Sequence, residues 1–198
     1  MNKDNLIPKI PKQKRSKIRF EKILYCAEKI LLENGMHLMT IKEISQIAKI
    51  KRPSIYKFFP STESIYYALS EKHIIKFESL FQKNLANSTS KNLSWYLSLF
   101  IDLLSIYVNS NKVSALLFFD LESLHTLKIV RPQNKQLLSS VFLEALKSKD
   151  IKYSVDKTTI SCQLSLSILS VGFNEENCLS PRYVNEAKRA ALAYISTL

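Results

Sequence analysis

The stretch "TIKEISQIAKIKRPSIYKFFPSTESI", residues 40–65, sets a short basic segment, "KIKRPSIYK", between two apolar segments of helical spacing. Thr40 stands before the first apolar run and Glu43 three residues after it, the Thr-x-x-Glu pattern of a capping box that starts a helix. Ile41, Ile44, Ile47 and Ala48 are the expected buried side of that helix. "KIK" reads as a tight turn. Pro53 suits the first turn of a following helix, expected over about 52–58, because its missing amide would have no helical partner there. Ile55 and Phe59 are its inward side, Pro60 ends it, and Ser61 caps a longer helix running from about 62 into the eighties. Two helices joined this tightly make a helix-turn-helix. Lys51, Arg52, Ser54 and Lys57 then fall on the exposed side of its second helix. Arg can read guanine with two parallel hydrogen bonds, and Lys and Ser serve bases or phosphates.

Charge concentrates in the same region. The 198 residues carry a formal net charge of +12 and a pI of about 9.6. Residues 1–60 hold fourteen Lys and Arg against five Asp and Glu, and the remaining residues fifteen against twelve. Such asymmetry points to a polyanionic partner that meets the N-terminal part, and nucleic acid fits better than a membrane. The leader "MNKDNLIPKIPKQKRSK" lacks the apolar run of a signal peptide and the apolar face of a membrane-surface helix. The most apolar segment, "LSWYLSLFIDLLSIYV" at 93–108, is too short for a membrane span and includes Asp102. A cytoplasmic location is therefore expected, with no membrane partner.

Enzyme chemistry finds little support. Two glycines, Gly35 and Gly172, cannot build a phosphate loop, and neither GxSxG nor HExxH occurs. His37, His73 and His125 are scattered, and Cys26, Cys162 and Cys178 form no CxxC pair. No catalytic residue, metal site or cofactor is expected.

With so few glycines and no alternating strand pattern, the chain reads as all-α, with about nine helices. Residues 1–16 form a basic, flexible arm. Helix 1 is expected over about 17–34, with Phe20, Ile23, Leu24, Ala27, Ile30 and Leu31 as its apolar stripe and Gly35 as a left-handed C-cap. The domain division expected is 17–61 for a helix-turn-helix DNA-binding domain and 62–198 for a helical effector-binding and dimerisation domain. Within the latter, "NLSWYLSLFIDLLSIYVNS", "KVSALLFFDLESLH" and segments near 132–148, 156–172 and 182–197 are the expected helices. Pro132 is expected to open the first of these last three.

The spacing of Thr40, Ile44, Ala48, Ile50, Ser54, Ile55, Tyr56, Phe59, Ser61, Glu63 and Ile65, with Gly35 just ahead, resembles the DNA-binding motif of the TetR family of bacterial transcriptional regulators. The resemblance in motif covers about residues 17–66. Four positions depart from it. Lys49 stands in place of the turn glycine, which implies a turn bent differently. Lys51 replaces a capping serine, Phe58 a histidine, and Thr62 a lysine. The resemblance implies a homodimer on a palindromic DNA operator, repression as the default, and release by a small-molecule effector, which the aromatic residues of the second domain suggest is apolar or aromatic. It gives Thr40 and Tyr56 roles on the DNA backbone, although Tyr56 as a core aromatic and Thr40 as a cap alone remain open. The DNA-contacting set expected is Thr40, Lys49, Lys51, Arg52, Pro53, Ser54, Tyr56, Lys57, Ser61 and Thr62, joined by Lys14, Arg15 and Lys17. Trp95, Tyr96, Phe100, Tyr107, Phe118, Phe119 and His125 are candidates to line an effector pocket, with ordinary core packing as the competing reading. Leu164, Ile168 and Val171, with Val184, Ala187, Ala191, Tyr194 and Ile195, are candidates for the dimer interface, and an intramolecular core would give the same stripe. The alternative function is a helical interaction protein with a vestigial DNA reader.

Overall fold

The computed structural model describes residues 7–35, 38–86, 88–90, 92–119 and 130–196. Among these every regular element is a helix. In chain order they are α1 (Lys14–Asn34), α2 (Ile41–Ala48), α3 (Arg52–Tyr56), α4 (Thr62–Leu85), α5 (Leu93–Asn109), α6 (Lys112–Phe119), α7 (Val130–Ser148), α8 (Val155–Glu176) and α9 (Pro181–Ser196). The chain divides into two compact units within α4, between Lys72 and His73.

The first unit is built on α1. Phe20, Ile23, Leu24, Ala27, Ile30 and Leu31 are all buried, as their 3.6-residue spacing predicts. The helix starts at Lys14, three residues before the expected 17, without a side-chain cap on Gln13. Its end is closed by Gly35, whose amide donates to the Leu31 carbonyl at 3.1 Å. Gly35 takes φ +75° with ψ −178°, a region open to glycine rather than the left-handed helical cap expected. The half-buried pair Lys72–Glu28, 3.0 Å apart, ties the middle of α4 to α1.

The leader is not wholly free. Pro8 is buried, and the Lys9 amide donates to the Phe58 carbonyl at 2.7 Å. The flexible arm expected over 1–16 therefore does not extend through residues 8 and 9, and residues 14–16 are helical. Residues 1–6 lie outside the described residues.

In the second unit, α8 and α9 pack side by side, α9 also lies on α5, and α6 packs on α5 and α8. Close approach of α8 to α9 depends on small side chains. The Ser161 hydroxyl donates to the Ala191 carbonyl at 2.6 Å, and Gly172 lies directly under the Tyr183 ring. Lys188 pairs with Asp102, fixing α9 to α5. A ring cluster fills the other side of the core, where Phe100 has Phe77, Phe81 and Phe142 at centroid distances of 5.3, 5.4 and 5.1 Å. Among the described residues no helix is long and apolar enough to cross a membrane.

Candidate nucleic-acid interface

Local chemistry builds the helix-turn-helix. The Thr40 hydroxyl accepts the Glu43 amide at 3.2 Å, and the Glu43 carboxylate accepts the Thr40 amide at 3.1 Å and its hydroxyl, so the capping box is complete. Ile41, Ile44 and Ala48 are buried. Ile47 is not, at 45% exposed. It sits about 100° around the helix from Ala48 and about 120° from Ile41, at the edge of the stripe that Ile41, Ile44 and Ala48 share, so its expected place in the core is corrected.

The turn keeps the left-handed form that glycine usually supplies. Lys49 adopts φ 54° and ψ 40°, so the different bend expected from its side chain does not occur. Two reciprocal bonds close the turn: the Ser45 hydroxyl donates to the Ile50 carbonyl at 2.7 Å, and the Ile50 amide to the Ser45 carbonyl at 3.2 Å. Holding one residue at left-handed angles costs on the order of 1 kcal/mol, which these bonds offset.

α3 has five residues, shorter than the 52–58 expected. Lys51 precedes it without making a side-chain cap, as its replacement of serine implies, and Pro53 lies in its first turn. Ile55 and Phe59 are fully buried, with the Phe59 ring stacked on Phe20 at 4.6 Å. Phe58 meets the same Phe20 ring edge-on at 6.0 Å. That anchor turns the opposite side outward. Lys49, Lys51, Arg52, Pro53, Tyr56 and Lys57 are exposed, while Ser54, Ser61 and Thr62 are half-buried. Tyr56 is 50% exposed, so it is not a core aromatic. Thr40 is both a cap and exposed, and Lys14, Arg15 and Lys17 are exposed on α1. Ser61 does cap α4, by accepting the Ser64 amide at 3.2 Å while the Ser64 hydroxyl accepts the Ser61 amide at 3.3 Å.

Among the described residues no carboxylate forms an ion pair with Lys49, Lys51, Arg52 or Lys57. Exposed cations that the described residues leave unneutralised can attract an anion, and their polar neighbours can add hydrogen bonds. Sequence reasoning missed Ser45 and Lys9 as supports of this surface. Ser45 had a signal, a short hydroxyl side chain one residue before the last helical turn. Lys9 had none, because its contribution is a backbone amide.

Residues 23–69 match the model of bacterial regulatory proteins of the tetR family. No curated protein matches the chain with significance. Solved structures do. A TetR transcriptional regulator from Rhodococcus sp. RHA1 is 15% identical, covers 94% of this chain and 100% of its own, and superposes with a TM-score of 0.69. A TetR-family transcriptional regulator from Streptomyces coelicolor is 13% identical, with 90% and 98% covered and a TM-score of 0.66. The multidrug binding protein EbrR, complexed with imidazole, is 10% identical, with 94% and 97% covered and a TM-score of 0.65. The chain has the fold of TetR-family regulators, and its helix-turn-helix lies within the segment that matches the family model. The helix-turn-helix here differs from the usual motif at Lys49, Lys51, Phe58 and Thr62, yet the frame of α2, turn and α3 is intact.

The remaining candidates fall as follows. Tyr96, Phe100, Phe118 and Phe119 are buried, and Tyr107 is half-buried with its hydroxyl 2.9 Å from His73 Nδ1. Trp95 is 41% exposed. His125 lies outside the described residues. A cavity of about 590 Å³ is present in the second unit, but none of these residues lines it. Of the candidates for the dimer interface, Val184, Ala187 and Ala191 are buried by their own chain; Leu164, Ile168, Tyr194 and Ile195 are half-buried, and Val171 is exposed. Among the described residues, no group of three or more His, Cys, Asp or Glu could hold a metal ion.

Proposed function

We propose that the chain is a sequence-specific, DNA-binding transcriptional regulator, a binding protein rather than an enzyme, that acts in the cytoplasm as a homodimer on a palindromic operator. The observation that carries this reading is the exposed set of Lys49, Lys51, Arg52 and Lys57, in and beside the five-residue α3, which no described carboxylate neutralises and which Ile55 and Phe59 anchor from behind. Arg52 reads a base edge; Tyr56, Lys57, Thr40 and the α1 cations Lys14, Arg15 and Lys17 hold phosphates. A single reader of this size makes few contacts. Two, set about 34–36 Å apart, would engage successive major grooves. The α8 face that carries Leu164, Ile168 and Val171, none of them fully buried, is the proposed dimer surface. Residues 17–61 are the proposed reader and 62–198 the sensor and dimer domain.

Repression is the proposed outcome, and a small molecule bound in the second unit releases the operator. EbrR, which shares the fold, is described as a multidrug binding protein, and that supports a ligand-responsive reading. The linkage is reciprocal: an effector that favours a dimer with wrongly spaced readers weakens operator binding by the factor by which operator weakens effector binding.

Fluorescence anisotropy with the DNA upstream of the protein's own gene, in competition with scrambled DNA, tests the reading. Equal affinity for the two duplexes, which the vestigial-reader alternative expects, overturns it. So does a monomer in ultracentrifugation at micromolar concentration.

A further inference from the structure

The cavity of about 590 Å³ lies among the end of α5, the first two turns of α6 and the end of α8. Its volume falls in the range of small-molecule sites, about 300–1,000 Å³. The floor is apolar, formed by Val108, Ala115, Leu116 and Phe173. The rim is polar. Asn109 belongs to it only as a wall, because its amide is spent on the Leu179 backbone, donating to the carbonyl at 2.9 Å and accepting from the amide at 2.8 Å. Asn177, which closes α8 in a left-handed conformation, and the exposed thiol of Cys178 complete the polar edge with Lys112.

Lys112 decides the ligand's charge. Among the described residues it is the one charged residue that lines the cavity, and no ion pair engages it. It is also the first residue of α6, where the helix N-terminus adds positive potential. The Asn111 side chain accepts the Ser114 amide at 3.3 Å, so this first turn is already formed. Of the two acids that end α8, Glu175 accepts the Tyr183 hydroxyl, and Glu176 does not line the cavity. An unpaired ammonium above an apolar floor selects a single anionic head on a compact apolar body. The ring cluster around Phe100, by contrast, is occupied by its own side chains.

We propose that this cavity binds a small organic monoacid, with the carboxylate on Lys112 and the apolar body against Leu116 and Phe173. It is the effector site of the regulator, a role that rests on the function proposed above. Binding itself does not depend on that role.

The test is protection of Cys178 from alkylation by iodoacetamide, followed by intact mass. Cys26 and Cys162 are buried, so Cys178 is the fast-reacting thiol. Hexanoate and benzoate are the probes, with hexylamine and hexanol as controls for head charge. The acids slow the reaction saturably, the amine and alcohol far less, and Lys112→Gln weakens the acids about tenfold, as expected for one charge-assisted hydrogen bond. Leu116→Trp, which fills the floor, removes protection. Because that variant can disturb α6, the exposed Lys112→Gln decides. No protection by either acid, equal protection by all heads, or an unchanged Lys112→Gln overturns the site. Protection with unchanged operator affinity leaves the site standing and overturns its effector role, and absence of any operator leaves the alkylation readout intact.

Discussion

The Lys9 amide donates to the Phe58 carbonyl at 2.7 Å, so the leader is fastened to the chain just past the C-terminal end of α3. A helix this short has few bonds of its own, and its last carbonyls are where outside donors matter most. Lys9→Pro removes the donor, and Lys9→Ala keeps it while removing the charge. Loss of the bond costs about 1 kcal/mol. Thermal unfolding is expected to fall by a few degrees in Lys9→Pro and to stay near the native value in Lys9→Ala. Equal melting temperatures for the two variants would show that the amide does not hold the reader.

At Lys49 the left-handed backbone strains a residue with a Cβ. Lys49→Gly relieves that strain and is expected to stabilise the protein by roughly 0.5–1 kcal/mol. A higher urea midpoint with an unchanged slope checks it. Operator affinity should fall at the same time, because one exposed cation is lost.

Gly172 is constrained from above. A Cβ there would lie 2.3 Å from Cγ of the Tyr183 ring, against ring and Cβ atoms rather than the tip of a flexible side chain. Gly172→Ala gains helix propensity of about 1 kcal/mol but must push α9 off α8, and overpacking costs about 1–3 kcal/mol. The expected result is net destabilisation in urea, reversed in part by Gly172→Ala with Tyr183→Ala. A stabilised single variant would contradict the close approach.

On DNA the two cations of α3 and its flank separate by role. Arg52→Ala is expected to cost about 1–3 kcal/mol on operator and to relax selectivity at one base position. Lys57→Ala weakens all duplexes alike and lowers the salt slope by about 1. Anisotropy titrations over a salt series distinguish them, and a loss of selectivity in Lys57→Ala but not in Arg52→Ala would reverse the assignment.

Burial pushes the Cys162 thiol up to about 12, against a slight opposing hydrogen bond with Ser139, and burial also raises Tyr66 well above its ordinary value. Both groups hold their protons more tightly folded than unfolded. The Cys162 contribution to stability is complete below the unfolded thiol value, near 9, and is lost as pH rises from there toward 12, while that of Tyr66 is lost only from about 10 upward. Urea midpoints should fall above pH 9, and less steeply in Cys162→Ala.

By itself the sequence determined what rests on neighbours three or four residues apart. The α1 stripe from Phe20 to Leu31, the Thr40–Glu43 box, the Ser61 cap and the inward pair Ile55 and Phe59 all follow from helical spacing and short-range hydrogen bonds. The missing cap at Lys51 was legible for the same reason. Tertiary structure decided which surface covers each apolar face. Periodicity gives Val184, Ala187 and Ala191 one stripe but does not say whether a second chain or α8 buries them, and their own chain does. It does not reveal that Gly172 lies beneath Tyr183, that a leader amide reaches Phe58, or that a cavity opens beside Lys112 while the aromatic residues pack on one another. Each of these joins segments distant in the chain, and only packing, not local propensity, brings such segments together.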